Sequence, residues 1–205
     1  MTIRISERTI DKLASDGKIN EGTELVKLKE LTIEFLALPK NVEDLKLIDI
    51  SGDNGKFVVV ALLLASLKTW KKEDEETCSE MMKELLNSPT VPNNYSNFTK
   101  SFVKDRMLQN DKYDFLADAY FDGASPDNGY TPNNPLSITL REYPYAPQLS
   151  TMYGPNIYVE KIVSDFKGAD SERSVSVYKD PKDQKWYIWS DSYKSLLVDI
   201  KPIIK

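Results

Sequence analysis

The rhythm of apolar and polar positions changes near the middle of the chain. Residues 1 to about 110 read mainly as helix, and residues from about 135 onward read as strands. The first 22 residues are polar and carry Gly17 and Gly22, which predicts an irregular or weakly ordered start. Between Glu24 and Leu38, Leu28, Leu31 and Phe35 fit a helical stripe. Thr32-Ile33 and the alternation Val26-Lys27-Leu28 also fit a strand, and Pro39 ends the element either way. A short amphipathic piece follows at Val42–Ile48. Ser51-Gly52-Asp53-Asn54-Gly55 is a turn by composition, with Asp53 or Asn54 available as a cap.

Phe57 to Trp70 is apolar on nearly every side until Lys68. A helix without a polar face has to be buried, so this segment is the expected centre of the core. The next helix opens on Glu73-Asp74-Glu75-Glu76, carboxylates that suit the partial positive charge of a helix N-terminus. Met81, Met82, Leu85 and Leu86 supply its buried face, and Asn87-Ser88-Pro89 closes it. Ser96 or Asn97 caps a further helix with Phe98, Phe102, Val103 and Met107 along one side. Residues 111–135 mix Tyr113, Phe115, Tyr120 and Phe121 with turn-forming runs, which predicts a structured surface loop.

Strands are expected at Leu136–Tyr143, Asn156–Val163, Ser174–Lys179 and Lys185–Ser190, the last two joined by the turn Asp180-Pro181-Lys182-Asp183-Gln184. Pairing Asp180 with Lys185 sets Val177 opposite Ile188 and Tyr178 opposite Tyr187. Val175, Val177, Trp186 and Ile188 then share the face toward the helices, and Ser176, Tyr178, Tyr187 and Trp189 share the other. Tyr193–Ile200 adds a short helix or an edge strand, and Pro202 ends any ladder. The pattern as a whole predicts one α+β domain over residues 1–205. Its helical part is about 24–110, its connecting loop 111–135 and its β part about 136–205, with N-terminal helices packed on a C-terminal antiparallel β-sheet.

Composition narrows the function classes. The chain has 205 residues, with 40% hydrophobic and 29% charged, an ordinary globular balance rather than a disordered one. A net charge of −5 argues against nucleic-acid partners, which call for a basic footprint. The longest apolar run, Phe57–Ala65, is too short to span a bilayer, and Met1–Arg8 has no apolar leader region, so a cytoplasmic protein without a membrane partner is expected. There is no histidine, and Cys78 is the only cysteine. A Ser-His-Asp triad, a Cys-His pair and a His/Cys zinc site therefore cannot be built within the chain.

Each remaining candidate for chemistry has a plain alternative. Cys78 lies among Glu75, Glu76 and Glu80, which favour the neutral thiol, so it reads as a packing residue. Glycoside hydrolysis needs only two carboxylates, and Glu142 has the most unusual neighbours, but an edge-strand salt bridge accounts for it equally well. Asp49–Gly55 has oxygens at alternate positions, yet Asn54 and Val60 stand where a calcium loop needs glycine and glutamate. No metal or cofactor site is expected. The positive signal is aromatic: Tyr143, Tyr145 and Tyr153 lie in proline-stiffened segments, and Tyr178, Tyr187 and Trp189 share a sheet face. Tyrosine and tryptophan offer large rigid contact area at small entropic cost, suited to a protein, peptide, small-molecule or sugar ligand. The competing reading is that these rings simply cover the open end of the sheet.

Three stretches resemble a family of small uncharacterised bacterial proteins grouped as a domain of unknown function. They are Ala119-Tyr120-Phe121-Asp122-Gly123-Ala124; Gly129-Tyr130-Thr131-Pro132 with Pro135-Leu136-Ser137-Ile138-Thr139; and Lys185-Trp186-Tyr187-Ile188-Trp189. The resemblance implies a bacterial origin and transfers no functional residue. The residues themselves favour a non-enzymatic binding module with an aromatic face. The alternatives are a small-ligand pocket of the NTF2-like kind, on element order alone, or a histidine-independent, carboxylate-based hydrolase.

Overall fold

The computed structural model describes residues 3–15, 18–19, 24–152 and 156–204. It opens with a long antiparallel ribbon of β1 (Ile3–Ser15) and β3 (Glu24–Phe35), with the two-residue β2 (Lys18–Ile19) at its far end. Four helices follow: α1 (Val42–Lys46), α2 (Gly55–Leu67), α3 (Glu76–Leu86) and α4 (Asn97–Leu108). Short 3-10 turns occupy Gln109–Asp114, Asp118–Tyr120 and Pro126–Asn128. Then come β4 (Leu136–Glu142), β5 (Gln148–Ser150), β6 (Ile157–Ser164), β7 (Arg173–Lys179), β8 (Trp186–Ile188) and a last 3-10 segment, Ser190–Leu197. The strands form one antiparallel sheet in the order β2-β1-β3-β4-β6-β7-β8, with β5 paired to β6.

The class is the expected α+β with an antiparallel sheet, but the sheet does not belong to the C-terminal half alone. Residues 3–15, expected to be irregular, and residues 24–35, read as helix or strand, are both strands. Leu31, Ile33 and Phe35 alternate into the core, while Thr32 and Glu34 are half-buried on the opposite face and Glu30 is buried there. A helix would have spread these residues around its circumference. β1 has no continuous apolar face, and cross-strand ion pairs support it instead: Arg4–Glu34 (3.0 Å), Glu7–Lys29 (3.0 Å), Asp11–Lys27 (3.4 Å) and Arg8–Glu30.

The all-apolar segment is the buried helix α2, and every residue from Phe57 to Ala65 is within 2% of complete burial. It touches β3, β4, β6, β7, β8 and α3. At its start Gly55 admits the Ile50 carbonyl and the Trp186 ring so closely that a Cβ would lie 2.3 Å from that oxygen. α3 begins only at Glu76, so Glu73, Asp74 and Glu75 precede it rather than forming its first turn, while Met81, Met82, Leu85 and Leu86 are buried as expected. Ser96 caps α4 with a capping box to Thr99. Phe98 on that helix is exposed, 64%, and stacks on Phe102 outside the core. The segment 111–135 is not a surface loop. Leu116, Ala119, Tyr120, Phe121, Ala124 and Tyr130 are buried in the main core, and the Tyr120 and Tyr130 hydroxyls donate to the carbonyls of Leu196 (2.8 Å) and Lys201 (2.7 Å).

The hairpin β7–β8 has the register deduced from its turn: Val177 faces Ile188 and Tyr178 faces Tyr187. Val175, Val177, Trp186 and Ile188 enter the main core, and Tyr178 and Tyr187 enter a second, smaller one. A single aspartate at Val177 or Ile188 should therefore destabilise the protein by about 4 kcal/mol or more, because it buries an unpaired charge. Trp189→Ala should stay folded. Denaturant melts in which Ile188→Asp matches the parent and Trp189→Ala collapses would overturn this assignment of faces.

Candidate functional site

β4 and β5 are two pieces of one strand broken by a loop. Arg141 faces Val163 and Glu142 faces Ile162 on β6, and the Tyr143 N–H still donates to the Lys161 carbonyl (3.1 Å). An unbroken ladder would then place Tyr145 opposite Val159, but the residue found there is Gln148, so three residues are looped out. Pro144 and Pro147 explain the break, since proline has no N–H to give to a ladder. Such bulges re-aim side chains and often lie beside functional sites.

The loop leans over the face of the sheet away from the helices and makes one wall of a groove of about 300 Å³. Tyr143, Tyr145, Gln148, Leu149 and Ser150 line it on the loop side. Val159, Lys161 and Ser176 rise from the strands, and Trp189 closes the far side. The Tyr143 and Tyr145 rings stand 5.9 Å apart at 57°, and the Lys161 ammonium sits 4.9 Å from the centre of the Tyr143 ring. Tyr145 and Leu149 are exposed, at 41% and 53%. Among the described residues, the hydroxyls of Tyr143, Tyr145 and Ser176 and the amide of Gln148 have no hydrogen-bond partner, although each is built to make one.

Of the aromatic residues singled out in the sequence, the groove thus brings together Tyr143, Tyr145 and Trp189. Tyr153 lies outside the described residues. Tyr178 and Tyr187 do not line the groove but lie beneath it, packed with Val91 and Ile157 in the second core. Tyr178 meets the Trp189 ring edge-on at 5.2 Å and 80°, so it supports the wall rather than offering contact. Its hydroxyl donates to the Ser88 hydroxyl (2.6 Å), and the Tyr187 hydroxyl donates to Asp183 (2.7 Å). Burial and the neighbouring Asp183 and Asp180 carboxylates hold the Tyr187 hydroxyl well above the usual tyrosine range.

Asp180 locks this support in place. It is fully buried, and it accepts from the N–H (2.9 Å) and hydroxyl (2.9 Å) of Thr90 and from the Lys182 N–H (2.7 Å). Burial alone would raise its pKa. The hydrogen bonds from Ser88, Lys182 and Thr90 outweigh burial and hold it below the usual carboxylate range. The loop that carries Val91 into the second core is tied down by this one carboxylate.

Behind the groove, on the helix side of the sheet, Lys56 at the start of α2 bridges Glu142 (2.9 Å) and Glu160 (2.8 Å). Burial works to lower the Lys56 pKa, and the two carboxylates overcome it, so the ammonium is held charged. Glu142 also accepts from the Lys29 N–H (3.0 Å), which fixes the last residue before the loop. A second cleft, of about 190 Å³, opens where β4 and β6 part, and it is lined by Asp122, Thr139, Arg141 and Asp165 among others. Its carboxylates and Arg141 are satisfied within the protein. The buried Arg141 grips Asp165 with two hydrogen bonds (2.8 and 3.0 Å) and also holds Glu172, and Asp122 accepts from the Ser137 (2.7 Å) and Thr139 (3.0 Å) hydroxyls.

Cys78 is 1% exposed, and burial pushes its thiol up to about 12 despite a hydrogen bond with Thr69. Among the described residues, no group of three or more acidic, cysteine or histidine side chains is placed to hold a metal, and no helix is long and apolar enough to cross a membrane. Lys161, Gln148 and Ser150 escaped the sequence analysis, while Ser176 was placed on the Trp189 face without being named as a site residue. The signal that exposes them is the pair of prolines interrupting a strand pattern, together with the alternation that puts Lys161 and Ser176 on the Tyr143 side.

A family model described as Domain of unknown function (DUF6935) matches residues 37–204, a span that starts just after β3 and contains every stretch of the resemblance noted above. No curated protein and no solved structure matches the chain.

The Asp180 network gives stability a definite pH dependence. A depressed folded-state pKa contributes stability that is complete above the unfolded value of about 3.9 and is lost as pH falls through the folded value. Asp180→Asn should lower stability at neutral pH by about 1–3 kcal/mol and should flatten the loss of stability below about pH 4. Urea melts across pH 2–7 check both; an unchanged acid limb would count against this role.

Proposed function

The chain belongs to the DUF6935 family, and we propose that it is a non-enzymatic binding module whose ligand lies in the groove between the Tyr143–Pro147 loop and Trp189. One observation carries this reading: ring faces and unpaired hydrogen-bonding groups converge in a single open groove whose backing is fully bonded. Stacking surfaces with a few convergent polar groups suit a small ligand that has one flat apolar face and a polar rim, such as a sugar ring or a short peptide. The wall does not have to be assembled on binding. Tyr178 fixes Trp189 from below, and Lys56 and the Lys29 N–H fix Glu142 at the loop entrance. The carboxylate-based hydrolase gains no support, because Glu142 and Glu160 share Lys56 on the opposite face of the sheet.

Trp189 is a built-in reporter, since Trp70 and Trp186 are both buried. Titration of neutral oligosaccharides and proline-containing peptides should give a saturable change in its emission for at least one ligand. Tyr143→Ala with Tyr145→Ala should weaken that ligand tenfold or more at an unchanged melting temperature. Binding that is indifferent to both tyrosines, or no saturable binding across the panel, would reject the groove as the site.

A further inference from the structure

Resting on that reading, the charge of the groove narrows the ligand. Among the described residues, Lys161 is the only charged one that lines it. The protein as a whole carries a net charge of −5, so any attraction for an anion has to be local. Lys161 makes no ion pair among the described residues. Alternation explains this: its strand neighbour Glu160 points to the helix side and is taken by Lys56, as is Glu142. On Lys161's own face, Asp165 and Glu172 are taken by Arg141.

The ammonium is also held in place. Its position over the Tyr143 ring orients it into the groove instead of leaving a long side chain free in solvent. The Ser176 hydroxyl lies directly across the ladder from Lys161, and Gln148 faces Val159 one pleat along. A cation, a hydroxyl donor and an amide donor therefore sit beside one aromatic face, with no carboxylate among the described residues that line the groove.

We infer that the groove takes a ligand that bears a carboxylate beside a flat apolar face, with the carboxylate at Lys161 and the flat face against Tyr143 and Trp189. Two kinds of molecule share this chemistry, an acidic sugar and an aromatic acid, and paired probes separate them. Calorimetric titrations compare trigalacturonate with its methyl ester, and phenylacetate with phenylacetamide. In at least one pair the acid should bind tenfold or more tighter than its neutral counterpart, with an affinity that falls as salt is raised. Lys161→Met keeps the apolar stem and should erase the difference within the pair, whereas Lys161→Arg should retain it. Equal binding of acid and neutral form, a preference that survives Lys161→Met, or no binding by either acid would overturn the inference. Saturable binding by neutral probes alone would do so while leaving the aromatic groove standing; silence from these probes and from the neutral panel would remove both.

Discussion

A helix with no polar side cannot rest against a single partner, and α2 imposes that condition on everything around it. Its residues from Phe57 to Ala65 are buried on all sides, so water has to be excluded around the full circumference. The sheet covers one side and α3 another, and the segment 111–135 joins the same core through Leu116, Tyr120 and Phe121. Because α2 contacts β3 and β4 as well as β6, β7 and β8, it spans the place where the sheet nearly divides. β4 and β6 share only two residue pairs there. A break that would weaken an isolated sheet is tolerated because a buried helix holds both halves.

This division of labour explains which parts of the fold were legible from sequence. α2 and the β7–β8 hairpin announce themselves, one by apolar continuity and the other by a turn of fixed chemistry flanked by alternation. β1 does not. Its face is polar, and its partners Glu30, Glu34, Lys27 and Lys29 lie on a strand whose own pattern also fits a helix. The segment 111–135 misleads in another way, because its turn-forming residues suggest a surface while its rings are packed inside. Phe115 and Tyr130 stack at 5.2 Å, and Tyr120 and Phe166 at 4.1 Å. Aromatic content was the better guide to burial than Gly, Pro and Asn content.

The aromatic signal for the site was partly structural. Tyr178 and Tyr187 share a sheet face with Trp189, but face-sharing does not determine exposure, and the loop bearing Val91 covers the two tyrosines. Where the ladder is interrupted, the sheet face opens beside Trp189. Lys161 was unreadable as a site residue because its role depends on a long-range register, Lys161 opposite Ser176, that no local pattern encodes.

The loop between β4 and β5 has one more property. Both ends of Tyr143–Pro147 are fastened to the same strand, β6, by ladders that do not depend on what lies between them. Loop closure between fixed ends grows only slowly more costly with length. Residues can therefore be added to or removed from this segment without shifting either ladder or the buried helix behind it. The proposed recognition surface therefore lies on a stretch of sheet that is free to vary in length, so a single scaffold of this kind could be refitted to differently shaped ligands while its core stays the same.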